Sequence, residues 1–153
     1  MALHFWQFIS VCLAALVTGV FWGPWLGLSR SIDTFAPEVF LAIGHRMIRN
    51  LAPVMPILMP AAMLAMVPVL WLSFGSQPTV FYLSIAGFAS YAVALIVTLA
   101  VEVPIDNQIR AWTANSLPAD WRSIRDRWES FHVLRTFASV AGLGLIVAGA
   151  VFG

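Results

Sequence analysis

Residues 101–136 read VEVPIDNQIRAWTANSLPADWRSIRDRWESFHVLRT and contain most of the ionisable side chains of an otherwise apolar chain. Every other Arg, Asp and Glu lies within residues 30–49, and the chain has no lysine. The segments before, between and after these two polar stretches are therefore free of these charges. The first two are long enough to supply bilayer-spanning helices, which need about 20 apolar residues, and the last reaches that length together with the end of the 101–136 stretch.

The composition is that of an integral membrane protein. The chain has 153 residues, of which 61% are hydrophobic and 10% are charged, whereas roughly a quarter of the residues of a soluble domain are charged. The net charge of +1 indicates no nucleic-acid-binding surface. Cys12 is the only cysteine, which excludes an intramolecular disulfide and a cysteine-based zinc site.

The sequence predicts an all-α, transmembrane four-helix bundle that forms a single domain over residues 1–153. An amphipathic helix is expected before the second span, because Phe40, Ile43 and Met47 share one face. A helical extension that starts at Ser116 is expected before the fourth span, and Pro104 is expected to end the third helix. The predicted spans are residues 5–28, 51–74, 80–103 and 131–152.

The distribution of charge predicts the orientation in the membrane. With four spans, the two polar stretches belong to the same side, and the positive-inside rule assigns that side to the cytoplasm. Both termini are then outside. Small residues spaced along two spans allow close approach of another helix, either within the bundle or in a homo-oligomer; they are Gly19, Gly23, Gly27, Ala138, Gly142 and Gly149.

The polar stretches contain the candidate site. In a helix, Trp128, His132 and Arg135 lie on one stripe together with Trp121 and Arg125. Ionisable groups near membrane-buried helix ends are candidates for function, and the further candidates at this end of the bundle are His45, Glu102 and Asn107. A structural interpretation is also open, in which Asn107 caps a helix, Glu102 pairs with an arginine and the tryptophans are interfacial anchors.

Two apolar spans contribute further candidates. Met55, Met59, Met63 and Met66 form a stripe on the second span, which suits plain packing, a wall for a flat aromatic ligand, or copper(I). Tyr91 lies near the middle of the third span, where its hydroxyl requires a partner.

Four segments carry a resemblance to a known family: TGVFWGPW (18–25), FLAIGHRMIRNLAP (40–53), VEVPIDNQI (101–109) and RWESFHVLRT (127–136). They resemble the small four-helix membrane proteins that include the fungal anthrone oxygenases, many of whose bacterial members have no known function. The resemblance implies a multi-pass protein of the bacterial plasma membrane. Its ligand would be a hydrophobic small molecule within the lipid bilayer.

The resemblance also implies a reaction, the oxidation of a flat aromatic or phenolic ketone without a cofactor. Such a site needs a base, donors for an enolate oxygen and flat apolar walls. His132 or His45 would be the base, and Asn107 with Arg135 would hold the oxygen. The substrate-binding residues would be Trp128, Glu102, Met55, Met59 and Tyr91.

Two other classes of function remain open. A non-enzymatic binding module would hold haem or a metal through His45 and His132, or else a hydrophobic small molecule. A transporter or assembly partner is less supported, because the chain has no inverted repeat.

Overall fold

A computed structural model describes residues 1–153, and all of its regular secondary structure is helical. Four of its helical segments are long and apolar enough to cross a membrane. The predicted all-α transmembrane four-helix bundle is therefore confirmed. The α-helices are α1 (Ala2–Gly27), α2 (Pro37–Leu51), α3 (Met55–Ser73), α4 (Pro78–Val97), α5 (Val103–Ala111) and α6 (Trp121–Phe152).

The spans α1, α3, α4 and α6 form a ring in that order, because α1 and α4 each contact both α3 and α6. The closest pair is α4 and α6, which meet at Gly87 and Gly142. A Cβ atom added to Gly142 would lie 2.9 Å from the Tyr91 ring. The apolar core between the spans consists of Ala14, Val17, Phe21, Met59, Ala62, Met66, Tyr91, Ala94 and Ile146.

A second apolar core lies at the end of the bundle that contains the charged residues, which we call the polar end. The predicted amphipathic helix is present as α2, and it packs on α5. The first residues of α6 complete this layer. The buried members of the second core are Ile32, Phe40, Leu41, Ile48, Ile105, Ile109, Trp112, Trp121 and Trp128.

The prediction that Pro104 ends the third helix is wrong. A π-helical turn over Thr98–Glu102 joins α4 to α5, and the helical path continues from Pro78 to Ala111. Proline lacks an N–H group and its ring crowds the preceding turn. The wider π turn lies in that preceding turn, so the chain accommodates Pro104 as the second residue of α5. Glu102, Asp106 and Asn107 consequently lie along a helix and not in a loop.

The polar extension of the fourth span is confirmed, with a shifted start. α6 is a single helix that begins at Trp121, five residues after the expected Ser116. The Ser116 hydroxyl instead accepts a hydrogen bond from the Thr113 backbone N–H within the preceding turn. Pro118 lies between this turn and the helix, and it restricts Leu117 to extended conformations that a helix does not use.

Candidate functional site

The main feature of the polar end is a cavity of about 540 Å³ between the helices. Its wall is apolar on the side of α1, α2 and α3, where the notable side chains are Phe21, Ile48, Met55 and Met59. Its polar lining comes from the π turn, α5 and α6. The polar and aromatic side chains of this lining are Thr98, Asp106, Asn107, Arg110, Trp128, His132 and Arg135.

Helical spacing explains why α6 contributes three neighbouring side chains. Trp128, His132 and Arg135 are separated by four and three residues, so they lie on one face. Trp128 and His132 are buried, and Arg135 is largely buried. The Trp128 and His132 rings stack with their centroids 5.9 Å apart and their planes 15° apart. The predicted stripe therefore faces the bundle from Trp128 onward.

Arg135 is the centre of the polar network. Its Nη2 lies 3.0 Å from Glu102 Oε2, with side chains 12% and 0% exposed. The angles of this ion pair do not make a hydrogen bond, so neither Glu102 oxygen has a donor. Arg135 Nη1 donates to Thr98 Oγ1 at 3.4 Å, and the guanidinium lies 4.6 Å from the centre of the Phe21 ring. The cation is thus held by an anion, a hydroxyl and an aromatic face.

Both ring nitrogens of His132 are engaged. Arg135 donates from Nε to His132 Nδ1 at 3.2 Å, and its Nη2 lies 3.0 Å from the same nitrogen. Since a guanidinium has only donors, Nδ1 must be the acceptor. The proton therefore belongs on Nε2, which lies 3.1 Å from the Phe21 carbonyl oxygen. In this arrangement His132 orients Arg135 and offers no lone pair to the cavity.

Asp106 is a cavity residue that the sequence interpretation did not include among its candidates. Its Oδ1 accepts a hydrogen bond from Trp128 Nε1 at 3.1 Å. No other hydrogen bond to this carboxylate is present, and its second oxygen is not among the fully buried, unpaired atoms. The expectation that Pro104 ends the helix concealed this residue. Once the helix continues through Pro104, Glu102, Asp106 and Arg110 follow at steps of four along one side.

The structure gathers most of the predicted site residues and separates two of them. Those that line the cavity are Asn107, Trp128, His132, Arg135, Met55 and Met59. Glu102 does not line the cavity but is the ion-pair partner of Arg135. His45 and Tyr91 do not line the cavity: His45 Nε2 lies 2.8 Å from the Ile109 carbonyl oxygen, and the Tyr91 hydroxyl donates to the Ala14 carbonyl oxygen at 2.9 Å within the span core.

The ring nitrogens of His132 and His45 are the candidate donors for a metal or haem. No group of three His, Cys, Asp or Glu side chains is placed to hold a metal ion. An axial haem ligand must offer a ring nitrogen. His132 already uses both of its ring nitrogens, and His45 Nε2 contacts the Ile109 backbone.

Comparison with known proteins completes the description of the site. No curated protein matches the chain, and no solved structure matches it. The model of the anthrone oxygenase family matches residues 45–145, which is more than half of the chain and includes the second half of α2, all of α3 to α5 and most of α6. The chain therefore belongs to the anthrone oxygenase family.

Proposed function

We propose that the protein oxidises a flat aromatic ketone of the anthrone type in the polar-end cavity, with molecular oxygen as the oxidant and no cofactor. The observation that carries this proposal is that the Asp106 carboxylate and the Arg135 guanidinium both line one largely apolar cavity. Its volume of about 540 Å³ lies within the range of small-molecule sites, about 300–1,000 Å³.

The reaction needs few groups from the protein. An anthrone has a CH₂ group whose proton is acidic, because the resulting carbanion is an enolate of the ring ketone. Asp106 takes this proton, and the enolate then reacts with oxygen at the same carbon. A peroxide forms there, and loss of water from it leaves a second ketone. One oxygen atom ends in the quinone and the other in water, so anthrone and O₂ give anthraquinone and H₂O.

Arg135 and Asn107 are suited to hold the enolate oxygen. A guanidinium has five N–H groups, and the contacts of Arg135 with His132, Glu102 and Thr98 leave at least one Nη1 hydrogen for a ligand. The Asn107 amide supplies further donors at the same lining. Donors fixed before the reaction lower the barrier most, and one such donor contributes about 2.7–4 kcal/mol in other enzymes.

The ring contacts favour Asp106 over His132 as the base. His132 Nδ1 faces a permanently protonated guanidinium, and its other nitrogen contacts the Phe21 carbonyl. Accepting a further proton would place a second cation beside Arg135. Asp106 instead has an oxygen without a protein partner. His132 is then a positioning residue for Arg135, and His45 has no direct part.

The decisive experiment is to follow the conversion of anthrone to anthraquinone by the purified protein in lipid vesicles under air. Wild type should turn over, and Asp106→Asn should lose about 10²–10⁴-fold of the rate, as expected for a general base. Asparagine keeps the acceptor for Trp128, so folding is preserved. Asp120→Asn is the matched control, because Asp120 is exposed in the turn before α6.

Each result has a clear meaning. A wild-type protein that does not convert anthrones at all would sink the oxygenase proposal, and the apolar cavity would then favour a non-catalytic site for a hydrophobic small molecule. An Asp106→Asn protein with the wild-type rate would show that another group takes the proton. A Soret band in the visible spectrum of the purified protein would favour the haem-binding alternative over both.

A further inference from the structure

The cavity is open on one side, and the exposed residues of its lining show which side. The lining residues from α1, α2 and α6 are all buried or half-buried. The exposed ones lie on only two strips. One strip runs from the link between α2 and α3 into the start of α3 and consists of Ala52, Pro56 and Pro60. The other follows the π turn and α5 and consists of Leu99, Val103, Asn107 and Arg110.

These two strips border a gap between α3 and α5. Contacts between α3 and α4 are the sparsest among the neighbouring spans. Pro60 favours such a gap, because it lies inside α3, has no N–H group and cannot complete a hydrogen bond to the preceding turn. The π turn at Thr98–Glu102 contributes Thr98 and Leu99 to the same cavity lining as Pro56 and Pro60. Met55 and Met59 lie behind the gap in the cavity wall.

The apolar part of this gap lies within helical segments that are apolar enough to cross a membrane. Leu99 is 61% exposed and Val103 is 41% exposed, and side chains of this kind on the outside of a spanning helix face lipid. Asn107 and Arg110 follow one and two turns closer to the polar end. The border of the gap therefore changes from apolar to polar along its length.

We propose that the ligand enters the cavity sideways from the bilayer, through the gap between α3 and α5. The ligand class is a flat aromatic molecule dissolved in the membrane, with its oxygen-bearing edge toward Asn107 and Arg110 and its apolar edge toward Leu99 and Val103. This inference rests on the proposed function only in taking the cavity as the ligand site. Lateral entry makes the membrane the source of the ligand. Only molecules that partition into lipid then reach Arg135.

The experiment uses benzophenone, a photoreactive aromatic ketone, as the probe. Vesicles that contain the protein are mixed with benzophenone-loaded vesicles and irradiated after increasing delays, and labelling of Met55 and Met59 is measured by peptide mass spectrometry. Wild type should be labelled at these methionines. Val103→Trp should slow the rise of labelling several-fold, because tryptophan narrows the gap through which the probe enters.

Two controls separate the possible routes. Ile96→Trp places the same side chain at a lipid-facing position, 63% exposed and outside the cavity lining, and it should not slow labelling. Arg110→Trp narrows the polar end of the opening and should slow labelling less than Val103→Trp does. If labelling is slowed in Arg110→Trp and not in Val103→Trp, the ligand enters from water and the proposal of lateral access is wrong.

The remaining outcomes also decide the matter. If Val103→Trp lowers the plateau of labelling without changing its rate, tryptophan only fills the cavity. If wild type is not labelled at Met55 and Met59, the cavity binds no aromatic ketone. Either result overturns the inference. If Val103→Trp slows labelling as expected but the protein never oxidises anthrone, the proposed reaction is wrong and lateral access is still supported.

Discussion

Arg135 shows how one residue connects the elements of the polar end. It extends from α6 and contacts Glu102 and Thr98 of the π turn, His132 of its own helix and the Phe21 ring of α1. A charge buried among spans is costly unless it is paired. Here the pairing partner is a carboxylate with no exposure, so each of the two charges depends on the other.

This dependence leads to a stability prediction. Arg135→Met should destabilise the protein by about 3–5 kcal/mol, because it leaves the Glu102 carboxylate buried without a counter-charge. The double variant Glu102→Gln/Arg135→Met removes both charges and should recover most of the loss. Chemical denaturation in detergent micelles measures both. Equal destabilisation by the single and double variants would mean that the methionine, and not the unpaired charge, is responsible.

The two histidines should behave differently in activity. Against anthrone, His132→Ala should lower the rate strongly, because Arg135 loses the acceptor for its Nε. His45→Ala should keep nearly the full rate, since the only hydrogen bond of His45 is to the Ile109 backbone and the residue lies outside the cavity lining. The comparison requires thermal unfolding curves that show both variants folded. A greater loss of rate in His45→Ala than in His132→Ala would restore His45 as a catalytic candidate.

Arg135→Lys should also reduce turnover. Lysine keeps the charge, but its single ammonium group cannot reproduce the planar arrangement that meets His132, Thr98 and Glu102 together. We expect a lower kcat with a folded protein and an unchanged lipid-facing surface. The kcat is measured as the rate in vesicles at saturating anthrone. If Arg135→Lys has the same kcat as wild type, the positive charge alone is sufficient.

Among the elements, the contact between α4 and α6 depends most on residue size. Gly142→Ala should destabilise by about 1–3 kcal/mol, the usual cost of overpacking a core, because the new Cβ would lie 2.9 Å from the Tyr91 ring and 3.2 Å from the Gly87 carbonyl oxygen. Gly144→Ala is the matched control in the same helix, with no atom within 4 Å. Thermal unfolding in detergent distinguishes them, and equal stabilities would contradict the close packing of this pair.

The glycines of α1 differ from those of α6. Gly19, Gly23 and Gly27 have no neighbouring atom within 4 Å of an added Cβ, so no helix of the same chain uses this ridge. Gly142 and Gly149 are buried against α4. The spacing of small residues predicted a packing face on α1 and on α6 equally. Only the arrangement of the helices shows that the face of α6 is used within the chain and that of α1 is not. Association of two chains through the α1 ridge remains a prediction.

For the whole molecule, the orientation in the membrane can be tested directly. Four spans place both termini on one side, and the arginine-rich polar end should face the cytoplasm. A reporter fused after Gly153 should therefore be active only outside, and one inserted at Asn115, in the exposed turn before α6, only inside. The reverse pattern would place the cavity at the outer surface.

The sequence by itself determined the helical class, the four spans and the polar end, because the apolar runs and the confinement of charge are properties of the chain. It also indicated Asn107, Trp128, His132 and Arg135, since helical spacing places the last three on one face. Only the tertiary structure separated His45 and Tyr91 from the cavity and added Asp106. Those outcomes depend on a π turn that carries the helix through Pro104 and on which helices are neighbours, and both are set by packing between segments distant in the sequence.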